Sequence, residues 1–278
     1  MKSISILTKD NYSLSAHLFE PEISNNKVLL INSATGVRQQ VYFSFAQYFA
    51  EHGYTVITYD YRGIGLSKPK KMKNFCSSMT IWGSVDYKAL TDYIQERYID
   101  YQKFCLGHSV GALILGMNEG SRIFEKFIFA ATQKSYLGNL NLRTKIQGYL
   151  GFGLVLPVST WFFGYFPAHR FGLGESLPKG NAFDWRTLLL DEKSTNKVLE
   201  KSKDISKELT QSVFVFWADD DPWLNKTGVT ALLDETYPNM KPTYRLIKSV
   251  ESPKKEVGHI NFFRSYNQPL WNIVLKEL

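Results

Sequence analysis

Phe104-Cys105-Leu106-Gly107-His108-Ser109-Val110-Gly111-Ala112 sets a serine two residues from a glycine on either side. The run joins a β-type stretch, Lys103–Leu106, to a helix expected over Ala112–Asn118. A serine at so sharp a strand-to-helix turn is pushed toward strained backbone angles, and only small neighbours leave room for it. Its hydroxyl then stands above the sheet, beside the N–H groups and positive dipole of a helix start. Such a serine can attack a carbonyl carbon, provided an imidazole takes its proton and an acid fixes the tautomer of that imidazole.

Of five histidines, His17 falls in an edge hairpin, His52 ends a helix, His108 lies within the turn itself and His169 lies in a region without strands. Each of these four reads as structural or solvent-facing. His259 follows the last strand in the loop Val257-Gly258-His259-Ile260-Asn261, and loops at the carboxyl ends of strands are where an open α/β sheet places its active site. For the acid, the strand Val213–Trp217 runs into Ala218-Asp219-Asp220-Asp221-Pro222, three carboxylates of which one can face the histidine. The other two read as solvated turn residues. No C-x-x-C or Cys/His cluster suits a metal, and Arg62-Gly63-Ile64-Gly65 lacks the G-x-G-x-x-G spacing of a dinucleotide loop. No cofactor and no metal are expected, and those glycines read as turn residues.

Eight β-type runs position these residues: Ser3–Thr8, Tyr12–Phe19, Lys27–Asn32, Thr55–Tyr59, Lys103–Leu106, Lys126–Ala130, Ser212–Trp217 and Thr243–Ile247. The first two form an edge hairpin around Lys9-Asp10-Asn11. The others alternate with amphipathic helices such as Tyr42–Glu51 and Trp82–Tyr98, which predicts βαβ units and a mostly parallel sheet covered on both faces. The alternation stops over residues 133–210, which carry aromatic clusters and helical patches but no convincing strand. Residues 1–132 and 211–278 are therefore expected to form the core domain and 133–210 an inserted cap.

The chain order Ser109, Asp, His259 and several further stretches resemble the α/β-hydrolase superfamily. Asp60-Tyr61-Arg62-Gly63-Ile64-Gly65-Leu66-Ser67 matches its D-x-R-G-x-G-x-S loop after the fourth strand, and Leu30-Ile31-Asn32-Ser33-Ala34-Thr35-Gly36 sits where it carries its oxyanion loop. Gly164-Tyr165-Phe166-Pro167 and Gly172-Leu173-Gly174-Glu175-Ser176-Leu177-Pro178 resemble a group of bacterial predicted α/β-hydrolases related to the serine aminopeptidase and monoacylglycerol lipase branch. The resemblance implies the α/β-hydrolase fold, an eight-stranded, mostly parallel sheet with helices on both faces and a helical cap. It makes Asp221 the acid, with Asp219 the alternative. It also implies an oxyanion hole built from the Val110 N–H and one from the loop after the third strand, where Ala34 is the choice and Thr35 the alternative. The departure from the family is at Asn32-Ser33, where His-Gly is usual.

The expected activity is that of a serine esterase acting on a small ester or thioester through an acyl-enzyme. An aminopeptidase-like amide hydrolase and a non-catalytic ligand-binding protein of the same fold are the alternatives. Eleven Lys/Arg against seven Asp/Glu between Gln133 and Leu209 disfavour capture of a substrate ammonium. The net charge of +7 is spread without a basic stripe, so no nucleic-acid partner is expected. Two cysteines outside any framework and a short, lysine-interrupted amino-terminal apolar run point to a reducing, cytoplasmic setting. Oligomeric state is left open.

Ile146 to Ala168 contains no Asp, Glu, Lys or Arg and is long enough to span a bilayer. A single span would put Ser109 on one side and Asp221 and His259 on the other, so no transmembrane span is expected, while a peripheral membrane contact is left open. Gly148, Gly151, Gly153, Pro157 and Gly164 are expected to interrupt any long helix there. Trp161, Phe162 and Phe166 are expected to line an acyl pocket, and Leu154 with them to pack the cap onto the body.

Overall fold

Apolar residues run almost without break through the central strands because both faces of the sheet are covered. In strand β3 (Lys27–Asn32), Val28 and Leu30 join one buried cluster while Leu29 and Ile31 join another on the opposite face. The same period-2 division recurs in β4 (Tyr54–Tyr59), β5 (Gln102–His108), β6 (Lys126–Ala130) and β9 (Ser212–Ala218). The computed structural model describes residues 1–278.

With β1 (Lys2–Leu7), β2 (Ser13–Phe19) and β10 (Lys241–Ile247), these strands form one eight-stranded sheet in the order β1-β2-β4-β3-β5-β6-β9-β10. The β1–β2 and β2–β4 pairings are antiparallel and the rest parallel, so the expected edge hairpin is present on a mostly parallel sheet. Helices Phe43–Glu51 and Gln268–Leu275 cover one face, where Phe45 packs edge-on against Trp271 at 5.5 Å. Helix Tyr87–Arg97 covers the other through Leu90 and Ile94, led into by a π turn at Trp82–Asp86.

Between β6 and β9 the chain leaves the sheet and builds helices Leu142–Leu150, Leu156–Phe163, Lys179–Leu190 and Thr195–Leu199. Two expectations need correction here. A two-stranded ribbon, β7 (Tyr165–Phe166) with β8 (Leu177–Pro178), lies where no strand was expected. The glycine-rich segment is also not interrupted within its length: Leu142–Phe163 is continuous through a π turn at Gly151–Val155 and stops only at Gly164, which takes φ 76°. At Gly148 a Cβ would lie 2.6 Å from the Leu137 methyl groups, so a larger residue there would have to displace that side chain. Gly151 and Gly153 fall within the wider turn, and Pro157 follows it directly, so the carbonyls its missing N–H would have served lie in that turn. The Arg186 guanidinium donates to the Phe152 carbonyl at 3.1 Å and satisfies an oxygen within that turn.

Candidate active site

Ser109 takes φ 53° and ψ −118°, the strained geometry its flanking glycines anticipate. A Cβ on Gly107 would lie 2.5 Å from the Ala112 nitrogen, and one on Gly111 would lie 2.3 Å from the Asn32 oxygen. Neither position tolerates a side chain, so β3, β5 and the turn approach as closely as backbone allows. The following helix is shorter than expected, one turn at Val110–Leu113 with a 3₁₀ turn at Leu115–Met117. A single turn carries little macrodipole, so what the turn offers an anion is mainly its N–H groups. Val110 is the first helical residue and its N–H has no intrahelical acceptor.

All three carboxylates after β9 accept hydrogen bonds; Asp219 is exposed as expected, while Asp220 is only partly exposed and holds backbone, which corrects its reading as merely solvated. Asp221, buried, sets Oδ2 2.7 Å from His259 Nδ1 and accepts the Trp223 N–H on Oδ1 at 2.9 Å. Asp220 accepts the N–H groups of Val257 and Gly258 at 2.9 and 2.8 Å, pinning the backbone that leads into His259. Asp219 accepts the Ser249 N–H at 2.7 Å, which lowers its pKa and ties the loop after β10 to the end of β9. Asp221 is thus the acid in contact with the histidine, and Asp219 is engaged elsewhere. Ser109 and His259 face one cavity of about 210 Å³.

In the loop after β3, the N–H expected to be available at Ala34 is not free. The Ala34 N–H is already spent, donated to the Tyr42 hydroxyl at 3.0 Å. Thr35 lines the cavity with Ser109, and its N–H makes no hydrogen bond within the chain. The pair of available donors near Ser109 is therefore Val110 and Thr35 rather than Val110 and Ala34. Asn32 is fully buried and structural: it accepts from the Tyr59 hydroxyl at 2.9 Å and donates to the Gly111 carbonyl at 3.2 Å.

Sequence reasoning missed a hydrogen-bonded chain beneath the site. His108 is completely buried, with Nε2 2.8 Å from the His259 carbonyl and Nδ1 2.7 Å from the Tyr42 hydroxyl. A carbonyl only accepts, so Nε2 carries the proton and Nδ1 accepts from Tyr42, whose oxygen in turn accepts from Ala34. One imidazole thereby links the oxyanion loop, the serine turn and the histidine loop. Burial holds its pKa well below the usual histidine value, which keeps it neutral as this bonding requires. Its place beside Ser109 was the only sequence signal.

The D-x-R-G-x-G-x-S loop supports the site from further off. Asp60 accepts the Gln39 N–H at 2.8 Å and the Leu66 N–H at 2.9 Å, and a Cβ on Gly65 would collide with its carboxylate. Arg62 pairs with buried Asp86 and with Asp10, both at 2.6 Å. Glu175 of the cap accepts the Gly65 N–H at 2.9 Å, and its own N–H donates to the Gly36 carbonyl at 2.8 Å, so the cap is fastened to both loops.

The expected acyl-pocket residues are placed elsewhere, and this is a correction. Trp161 and Phe162 are 83% and 71% exposed on the outside of the cap, and Phe166 is buried in the apolar core, stacked on Phe171. The cavity walls come instead from Leu173, Trp185 and Leu189 of the cap and from Trp223, Leu224 and Ile260 of the loops around His259. No Asp, Glu, Lys or Arg lines it. A larger surface groove of about 670 Å³ between β1 and the Tyr87–Arg97 helix contains none of the candidate residues.

Sheet order, crossover connections and the serine turn after β5 define an α/β-hydrolase fold. The family described as serine aminopeptidase, S33, matches residues 24–133, which run from just before β3 to just past β6 and include Ser109 and the Asp60–Ser67 loop. No curated protein matches the sequence. A highly thermostable carboxyl esterase from Bacillus coagulans is similar in structure, with TM-score 0.67, 12% identity, and coverage of 99% of this chain and 97% of that one. An esterase from Pyrococcus furiosus gives 0.62 at 14% identity, covering 99% and 88% of the two chains. Est816, described as an N-acyl homoserine lactone degrading enzyme, gives 0.62 at 15% identity, covering 99% and 100%. At such identities the likeness concerns the fold.

Proposed function

We propose that the protein is a serine hydrolase that cleaves a small, uncharged carboxylic ester through an acyl-enzyme. The observation that carries this reading is Ser109 in its strained turn, sharing a cavity with His259 while Asp221 sits 2.7 Å from the far ring nitrogen. In this reading Ser109 Oγ attacks the ester carbonyl carbon as His259 Nε2 takes the hydroxyl proton. The oxyanion is received by the Val110 and Thr35 N–H groups, and collapse expels the alcohol, which leaves with the proton from His259. Water, deprotonated by the same ring, then releases the acid. Asp221 holds the ring in the required tautomer and stabilises the imidazolium. The resemblance to esterases of the same fold agrees with this chemistry.

The cavity favours a neutral acyl group over a peptide amino terminus. A substrate ammonium held there without a carboxylate would lose its hydration uncompensated. At about 210 Å³ the cavity also lies below the roughly 300–1,000 Å³ of pockets for drug-sized ligands, which suits a short acyl chain. The test is labelling of wild type and Ser109→Ala with a fluorophosphonate, followed by hydrolysis of p-nitrophenyl esters alongside aminoacyl p-nitroanilides. Ester turnover with label confined to Ser109 is expected. Label taken up equally by Ser109→Ala, or anilides cleaved in preference to esters, would overturn the reading.

A further inference from the structure

The Leu142–Phe163 helix carries two stripes at i, i+4. Thr144, Gly148, Phe152, Leu156 and Thr160 are buried against the protein. Leu142, Ile146, Leu150, Leu154, Val158 and Phe162 point away, each more than half exposed, with Trp161 beside them. A spacing of four overshoots a turn of 3.6 residues by roughly 40°, so a six-residue stripe would spiral off its face in an unbroken α-helix. The wider π turn returns part of that rotation and helps keep the stripes apart. The result is an apolar face far larger than scattered surface leucines produce.

Cations outnumber carboxylates around this face, where Asp191 and Glu192 lie near Tyr136 and Tyr149. No Asp or Glu occurs between Glu125 and Glu175. Arg143 and Lys145 stand in the first turn, and Arg170 lies over the Phe163 ring at 4.8 Å near the other end. Lys70, Lys71 and Lys73 are exposed in a loop that reaches the same end, where a Cβ on Gly164 would come within 2.8 Å of the Lys73 side chain.

We infer that this face docks the protein on an anionic phospholipid surface, with the helix lying in the plane of the interface. An apolar stripe with an exposed tryptophan and flanking lysines and arginines is the chemistry such an interface binds, hydrocarbon below and anionic headgroups around it. The helix lies on the surface rather than spanning because its inner stripe is held by the protein, with Phe152 packed edge-on against Trp185 at 4.9 Å. A second copy fits this face less well. A twofold contact would set Arg143, Lys145, Arg170 and the Lys70–Lys73 loop against the same cations of the other copy, with only Asp191 and Glu192, near Tyr136 and Tyr149, as acidic neighbours to pair with them. The inference does not depend on the hydrolytic reading, because its readout is binding.

The full-length protein would be floated with vesicles of phosphatidylcholine, with and without phosphatidylglycerol as a third of the lipid. Flotation with the mixed vesicles at low salt is expected, weakening toward about 0.5 M salt as charges are screened. Each lysine near an anionic surface contributes about fivefold in partitioning, so replacing Lys70, Lys71 and Lys73 by glutamine should weaken binding by about 100-fold. Trp161→Ser with Phe162→Ser should abolish flotation while leaving the thermal midpoint within a few degrees of wild type. No flotation of wild type with the mixed vesicles at low salt would overturn the proposal. So would flotation undiminished in the serine variant, which would reduce the effect to charge alone. A dimer in light scattering that the serine variant abolishes, without vesicle binding, would reassign the face to a second copy.

Discussion

Ser109, His259 and Asp221 are the residues whose loss should matter most. Ser109→Ala and His259→Ala are each expected to lower kcat by about 10⁶, as nucleophile and base do when they act as one unit. Asp221→Asn is expected to lower it by about 10⁴, because the amide permits the wrong tautomer of His259. The new element is Asp220. Its two backbone acceptances at 2.8 and 2.9 Å hold the entry to His259, so Asp220→Ala should cost about 10 to 100-fold in kcat/KM while Asp219→Ala costs less than about fivefold. Steady-state kinetics on the best p-nitrophenyl ester ranks the three, and equal losses at Asp219 and Asp220 would remove the loop-anchoring role. His108 makes a separate demand on pH. Its folded pKa lies below its unfolded value of about 6.5, so the unfolded chain takes up the proton first and stability is lost as pH falls below about 6.5. The contribution approaches 1.36 kcal/mol per pH unit. Asp60 and Asp86, with carboxyls raised by burial, push the other way, so the clean measurement is a difference. Urea unfolding of wild type and His108→Gln between about pH 5 and 7.5 should show a shallower pH dependence at the acid end in the variant.

At the scale of elements, the parallel strands were legible because burial on both faces leaves continuous β-branched and aromatic runs that few other elements produce. The serine turn was legible because a strained backbone demands glycines at fixed spacing, here Gly107 and Gly111. The cap helix was not, because glycine and proline are read as breakers when a π turn can absorb them, as Gly151, Gly153 and Pro157 show. Nor was the Tyr42–His108 link, which joins residues 66 apart with no periodic relation between them. The Asp60–Ser67 loop was recognised by pattern, yet its work is mechanical. Arg62 neutralises a carboxylate with no exposed surface at Asp86, whose pKa burial raises to about 7 even so. Arg62→Leu would leave that charge unpaired and is expected to cost about 3–5 kcal/mol in urea unfolding. The deficit should widen with rising pH, since a carboxyl whose folded pKa is raised loses stability as it is forced to ionise. A deficit below about 1 kcal/mol, or one that narrows with pH, would show that Asp86 reaches water or another partner.

At the scale of the molecule, the proposed reading assigns nucleophile, acid and base to loops at the ends of sheet strands and the wall of the cavity to the inserted helices. Trp185 and Leu189 belong to the Lys179–Leu190 helix and meet Trp223 and Leu224 of the acid loop across the cavity. The Glu175 contacts to Gly36 and Gly65 fix the height of that wall above Ser109. Selectivity for acyl length should therefore be set by the cap and catalytic power by the sheet, and the two should separate in one experiment. Each buried methylene contributes about 0.8 kcal/mol, so kcat/KM in the wild type should rise about fourfold per CH₂ from acetyl esters until the cavity is full, then fall. Trp185→Ala removes the largest cap side chain from the wall, so its optimum should move to longer esters while its rate on acetyl esters falls by the loss of packing alone. The same substitution removes the Trp185 contact with Phe152, so the thermal midpoint must be measured beside the profile. An optimum that stays at the same chain length in a folded Trp185→Ala enzyme would place the acyl group elsewhere, against Trp223 and Leu224, and leave the cap as a cover rather than a ruler.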